Sequence, residues 1–283
     1  MESLGNWIKN FNDPVVKERV WRLGLLTGLR GEKDGTYRPA NLERGLLLDR
    51  IVQLRKPHAV LEIGTGRGLG AFAMAAAGRA YGVDLSISTV DMIPLNTPQE
   101  YAMELEGRQQ TIRASCDEVW RKHLDPELRE TIKPLTGKTT RTLPALLREG
   151  RRFDFIFIDA GHDLFSVAHD LSYSAALLAD GGAILMDDFA PLEEFGLGTC
   201  VALSHARRLF SEVEVFPSEG LVYGGAVHPG APRGLVFLSG LRGQVNVSRA
   251  RLWLWRVAGK VLNMCYRRGS FPARQSGASR RLT

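Results

Sequence analysis

The stretch Val60-Leu-Glu-Ile-Gly64-Thr-Gly66-Arg-Gly68-Leu-Gly70 places four glycines within seven residues, directly behind an apolar run. Glycine lets the backbone take positive φ and removes the Cβ that would hold a ligand off the main chain. A run of small residues, Ala71-Phe-Ala-Met-Ala-Ala-Ala77, comes next and reads as a helix. The first turn of such a helix carries N–H groups with no partner inside the helix. Strand, glycine turn and helix in that order make a cradle for a polar ligand, and they confine the chain to folds that present ligands at one sheet edge.

The remaining pattern agrees. Short apolar runs at 58–64, 80–86, 131–137, 153–161, 182–189, 213–218 and 234–240 alternate through most of the chain with helical spacing at 41–53, 70–77, 143–148, 166–178 and 199–210. Runs apolar on both faces suit a parallel sheet covered by helices. An α/β class with a doubly wound, mostly parallel seven-stranded sheet is predicted. Only glycine- and proline-rich material separates the last two runs, which predicts an antiparallel hairpin at one edge. Between Leu85 and Glu130 lies more chain than one crossover helix requires, so an insertion over the site is expected there. The sheet is expected to be complete by residue 240, leaving 1–240 as one domain and 241–283 as a separate terminal segment.

Of 283 residues, 44% are hydrophobic, enough for a sizeable core. No run reaches the roughly 18 apolar residues of a membrane-spanning helix, and the N-terminus lacks the layout of a signal peptide, so a cytoplasmic protein is expected. Cys116, Cys200 and Cys265 show neither zinc-ligand nor disulfide spacing and read as reduced thiols. Eleven of the 37 basic side chains, and none of the 31 acidic ones, lie beyond Glu219. The basic balance therefore belongs to the tail, and the rest of the chain is net acidic.

Asp84 follows the glycine turn by about twenty residues, the spacing of a carboxylate that accepts from ribose hydroxyls. Dinucleotides and other nucleosides both use such an acid. Glu62, just before the first glycine, is read as a second negative charge that would repel a pyrophosphate and suit a cationic ligand. Further on, the run Phe153–Ile158 leads into Asp159 and, three residues later, His162; the run 182–186 leads into Asp187 and Asp188. Three carboxylates on one rim would repel one another unless a cation or a shared proton lies between them. A divalent ion suits such hard oxygens, although Asp187 could instead cap a helix with Asp188 facing solvent.

Glu62-Ile-Gly64-Thr-Gly66-Arg-Gly68 and Tyr81-Gly-Val-Asp84 together resemble the class I S-adenosylmethionine-dependent methyltransferases, whose Rossmann-like fold carries an acidic residue before GxGxG. The runs FIDAGHD and LLADGGAILMDDF are similar to the metal-assisted O-methyltransferase branch, including catechol, caffeoyl-CoA and bacterial sugar or antibiotic enzymes. The resemblance spans roughly residues 37–238. It implies S-adenosyl-L-methionine bound by Glu62, Gly64, Thr65, Gly66, Gly68 and Asp84, and Mg²⁺ or another divalent cation held by Asp159, Asp187 and Asp188. It also implies O-methylation of a small-molecule or sugar hydroxyl. Asp159 and His162 are the candidate catalytic residues, His162 either as general base or as a hydrogen-bonding partner of the loop. Asp170 matches the branch as a structural acid. Gly137-Lys138-Thr139 stands where the family often has a turn with an acid for adenine, leaving Thr139 to offer a hydroxyl. A nicotinamide-dependent oxidoreductase and a non-catalytic S-adenosylmethionine-binding module are the alternatives.

In Arg249–Arg268, the residues Arg249, Arg256, Lys260, Asn263 and Arg267 fall on one helical stripe, with apolar residues around most of the remainder. Such a helix suits packing on the domain, a homo-oligomer contact, or a membrane interface. Nucleic acid is disfavoured, because no recognised motif accompanies the arginines and the rest of the chain is acidic. The last residues, 271–283, read as disordered.

Overall fold

The computed structural model describes residues 3–31, 37–39, 42–190, 196–217 and 234–267. The chain runs α1 (Leu4–Lys9), α2 (Pro14–Thr27), β1 (Leu29–Gly31), β2 (Tyr37–Pro39), α3 (Leu42–Arg55), β3 (Ala59–Ile63), α4 (Leu69–Tyr81) and β4 (Ser86–Asp91). There follow β5 (Gln99–Leu105), β6 (Arg108–Ala114), α5 (Cys116–His123), α6 (Pro126–Glu130), β7 (Ile132–Thr136), α7 (Thr139–Arg148) and β8 (Phe153–Ile158). The last part holds α8 (Leu164–Leu177), β9 (Leu178–Phe189), α9 (Leu197–Leu209), β10 (Phe210–Pro217), β11 (Gly234–Leu241) and α10 (Arg249–Arg267).

Seven strands form one sheet in the order β10-β11-β9-β8-β3-β4-β7. The ladders from β9 across to β7 are parallel, and β11 runs antiparallel to both β9 and β10. The expected edge hairpin is present, although its connection lies outside the described residues. The chain first builds outward from β3 through β4 to β7, then returns to β8 on the other side of β3. Strand order therefore reverses between β3 and β8, and an open α/β sheet binds ligands in the crevice at such a reversal.

Alternation along the strands covers both faces. Val60, Phe155, Phe157 and Leu185 pack in one core with α2, α3 and α4, whereas Leu61, Ile63, Ile156, Ile158 and Ile184 pack in a second with α7, α8 and α9. Helices on both faces explain why the strands read as continuous apolar runs rather than as alternation.

The second strand differs from its expected position. Ala80 and Tyr81 end α4, Gly82 caps it at φ 63°, and the Val83 N–H donates to the Gly78 carbonyl at 2.8 Å. The strand itself is Ser86-Ile-Ser-Thr-Val-Asp91. Its serine and threonine disguised it, yet Ser88 and Thr89 are as buried as their apolar neighbours. The segment expected as an insertion thus begins with this strand, and the true excursion is the β5–β6 hairpin followed by α5 and α6.

Helix α5 starts in a capping box: the Ser115 hydroxyl accepts from the Glu118 N–H at 3.2 Å while Glu118 accepts from the Ser115 N–H at 2.7 Å. Loss of such a cap costs about 1 kcal/mol. Ser115→Ala is accordingly expected to lower the melting temperature by about 2–4 °C in a calorimetric scan.

Candidate active site

Strands β3 and β8 approach so closely at their ends that a Cβ on Gly64 would overlap the carbonyl oxygen of Asp159. Gly64 sits at φ 101°, its N–H donates to the Val90 carbonyl at 2.8 Å, and the Asp159 N–H donates to Ile63 at 2.8 Å. Gly66 differs: nothing lies within 4 Å of where its Cβ would be. Here the turn is open to a ligand. The next residue locks the turn to the excursion. Arg67 donates to the carbonyls of Leu29 at 2.6 Å and Glu100 at 3.0 Å, and its guanidinium lies 4.9 Å from the Tyr101 ring centroid. Its own carbonyl accepts from Trp120 Nε1 at 3.0 Å and from the Tyr101 hydroxyl at 3.3 Å. None of this was visible in the spacing of Arg67, which reads as a filler between glycines.

Asp84 is not placed for a ribose. It is exposed and precedes β4, so it lies at the sheet edge opposite the glycine turn, where its carbonyl faces His58 Nδ1 at 3.0 Å. The acid at the carboxyl end of β4 is Asp91, whose Oδ2 accepts from the Gly66 N–H at 3.0 Å and whose Oδ1 accepts from the Ile93 N–H at 2.8 Å. Asp91 became visible only once the strand was correctly bounded.

Glu62 and Thr65 lie beneath the turn rather than in its open face. Glu62 is 1% exposed, and its Oε2 accepts from the Thr89 hydroxyl at 2.5 Å, which in turn lies 2.6 Å from the Thr65 hydroxyl. Burial pushes the Glu62 carboxyl up to about 8, against the Thr89 hydrogen bond. This acid therefore ties the turn to β4 from beneath, and its burial favours the neutral form. Thr139 opens α7, close to Asp170, which is buried in α8 and faces His169 Nδ1 at 2.9 Å; burial pushes the Asp170 carboxyl up.

Asp159, Asp187 and Asp188 do converge: one oxygen from each lies within 4.8 Å of the others. Consecutive residues of a strand ordinarily point to opposite faces. Asp188 escapes that rule by adopting φ 60°, a left-handed conformation that aspartate tolerates better than most residues. Its Oδ2 lies 2.7 Å from Nδ1 of His162, and that hydrogen bond raises the imidazole pKa against partial burial.

The cation that such a cluster requires comes from α3. Arg44 reaches over the Phe157 ring, 5.7 Å from its centroid, and ion-pairs through Nη1 with Asp159 and through Nη2 with Asp187 at 2.7 Å. Its side chain is 11% exposed. Burial opposes its charge, but the three aspartates outweigh burial and hold the guanidinium pKa above its ordinary value. Burial likewise lifts the Asp159 carboxyl, with Arg44 pulling the other way and Asp187 and Asp188 adding to the rise. Arg44 carried no sequence signal, since α3 also holds Arg50 and Arg55.

The oxygens are of the kind a divalent ion takes, but two of the carboxylates already bind the guanidinium and the third faces His162. Three carboxylates carry up to three negative charges and Arg44 supplies one positive charge, so Arg44 competes with a divalent ion for the oxygens of Asp159 and Asp187 and would have to give way for one to seat there.

Residues 61–189 match the family described as a methyltransferase domain. Among solved structures, the fold is similar to cofactor-bound Rv0187 from MTB, 17% identical over 81% of this chain and 91% of that one, at a TM-score of 0.53. The O-methyltransferase from Bacillus cereus in complex with SAH is 15% identical over 83% and 96%, at 0.51. The O-methyltransferase TomG from Streptomyces achromogenes, in complex with SAM, is 15% identical over 84% and 96%, at 0.50. These likenesses are of fold. No curated protein matches the sequence at a significant level.

The raised Glu62 carboxyl has a consequence for stability. Its folded value, about 8, exceeds its ordinary value of 4.5, so the folded state binds the extra proton and loses stability as pH climbs between those values. Glu62→Gln, which mimics the protonated acid, is expected to flatten that part of the curve in chemical denaturation at pH 5, 6.5 and 8. An unchanged slope in the variant would assign the pH dependence elsewhere.

Proposed function

We propose that this chain, whose residues 61–189 match a methyltransferase-domain family, is an S-adenosylmethionine-dependent O-methyltransferase acting on a small-molecule hydroxyl. The observation that carries this reading is the juxtaposition at the reversal of strand order. The open glycine turn and Asp91 stand on one side of the crevice, and the His162–Asp188 pair stands on the other.

S-adenosylmethionine, when bound, supplies the methyl group, which passes to the acceptor oxygen as its bond to sulfur breaks and a thioether is left. Gly66 lets that ligand approach the main chain, and Asp91 accepts from its ribose hydroxyls. Met92 and Ile93, 62% and 51% exposed beside Asp91, give an apolar ledge for the purine. His162, half exposed, takes the proton of the acceptor hydroxyl, and Asp188 orients the ring and supports the imidazolium. Asp159 and Asp187 hold the rim together through Arg44.

Asp91→Asn is expected to weaken S-adenosylmethionine binding by about tenfold or more in calorimetry, the loss of a charge-assisted hydrogen bond, whereas Asp84→Ala leaves it unchanged. Equal effects from both would place the ribose elsewhere. For His162→Ala, a fall in kcat of about 10²-fold or more with S-adenosylmethionine affinity preserved is expected.

Helix α10 extends the reading to a partner. Its inner face, with Leu252, Trp255 and Gly259, is turned to the domain: Gly259 packs on Leu164 and Phe165, and the Trp255 ring lies 5.9 Å from that of His205. Its outer face exposes Trp253, Leu254, Val257 and Val261 beside the cations Arg249 and Lys260, while the Arg256 guanidinium lies 5.4 Å from the Phe165 ring centroid on the domain. Among the described residues no helix is long and apolar enough to cross a membrane. Basic charge unrelieved by any acid after Glu219 complements an anionic surface and disfavours a second copy of the same helix. The outer face is therefore assigned to an anionic lipid surface. Full-length protein is expected to float with phosphatidylserine vesicles at low salt, and Trp253→Ser/Val257→Ser to remain behind. Equal flotation of both proteins would remove the assignment.

A further inference from the structure

Three carboxylates share the rim, and their mutual repulsion has to be relieved by a cation or a shared proton. Arg44 already ion-pairs with Asp159 and Asp187, and it is about nine-tenths buried against Phe157. It arrives from α3, whose residues Leu42, Leu46, Leu47, Leu48, Ile51 and Val52 are fully packed, so the helix that carries it cannot readily withdraw. Its Nε is buried and makes no hydrogen bond, so the guanidinium is held by the two carboxylates and not by neighbours on its own side. The third acid, Asp188, is turned by its left-handed backbone to His162. Every carboxylate of the cluster thus faces a nitrogen cation or donor supplied by this chain.

We propose that Arg44 is the built-in counter-cation of Asp159, Asp187 and Asp188, and that methyl transfer by this protein is consequently independent of divalent metal. The proposal deepens the methyltransferase reading and rests on it for the reaction, but the charge arrangement stands on the geometry alone. Arg44 is a positioning residue: it fixes Asp159 and Asp187 against the glycine turn without touching the reacting atoms. Its removal leaves three acids with too little positive charge among them, and such a group of hard oxygens is a divalent-cation site. A structural prop would show no such gain on removal.

Mn²⁺ is the probe, titrated into the full-length chain and followed by electron paramagnetic resonance of the free ion. Wild-type protein is expected to show no saturable binding below about millimolar Mn²⁺, whereas Arg44→Met binds one equivalent at least tenfold more tightly. Adding Asp159→Asn to Arg44→Met is expected to abolish the gain. One tight equivalent in the wild type that Asp159→Asn removes would overturn the proposal, as would Arg44→Met with no gain. If Arg44→Met fails to fold by circular dichroism, Arg44→Lys, which keeps the charge, serves with the wild type: both must reject Mn²⁺, and tight binding by either overturns the proposal. Calorimetry with S-adenosylmethionine separates the two levels. A chain that binds neither S-adenosylmethionine nor Mn²⁺ fails as a methyltransferase while leaving Arg44's role intact. Binding of S-adenosylmethionine with turnover that stops in chelator and returns with Mn²⁺ sinks the Arg44 proposal and leaves the methyltransferase reading standing.

Discussion

Everything at the rim depends on how closely β3 and β8 pass at their carboxyl ends. Only a residue without a Cβ fits where Gly64 meets the Asp159 carbonyl, and that contact does two things at once. It folds the main chain into the open turn at Gly66, and it brings the acid after β8 to the edge of the same crevice. Ligand cradle and acid rim are therefore parts of one crossing, placed where strand order reverses.

Such proximity has an electrostatic cost, and the chain meets it with residues from outside the strands. Arg44 crosses from α3 to join Asp159 and Asp187, while His162 faces Asp188. On the other side of the turn, Glu62 is buried, which favours its neutral form, and the Thr89 hydroxyl ties it to β4. The excursion between β4 and β7 adds rigidity, since Arg67 is tied to β5 and α5 by three hydrogen bonds and a ring contact. Positive charge has thus been brought inward at Arg44 and Arg67, and concentrated outward on α10.

How much of this could be read from the sequence follows from what each feature depends on. The sheet, its edge hairpin and most helices were legible because both-face burial writes itself into apolar runs. The second strand was not, because Ser88 and Thr89 are buried polar residues in a strand flanked by a better-looking run, and the ribose acid was consequently sought at Asp84 instead of Asp91. Convergence of Asp159, Asp187 and Asp188 was legible from strand ends. Arg44 was not, since a counter-cation lying 115 residues from its partner follows only from three-dimensional packing. The directions in which Glu62, Thr65 and Thr139 point were equally hidden: a motif gives residue types, while the face of a strand or the turn of a loop decides what they touch.

The most direct measurement is a crystal structure of the full chain soaked with S-adenosylhomocysteine and Mn²⁺, with anomalous scattering collected at the manganese edge. The expected result is the nucleoside over Gly66 with its ribose on Asp91, Arg44 still bridging Asp159 and Asp187, and no anomalous peak among the three acids. A nucleoside bound elsewhere, or manganese seated between the aspartates with Arg44 swung aside, would contradict it.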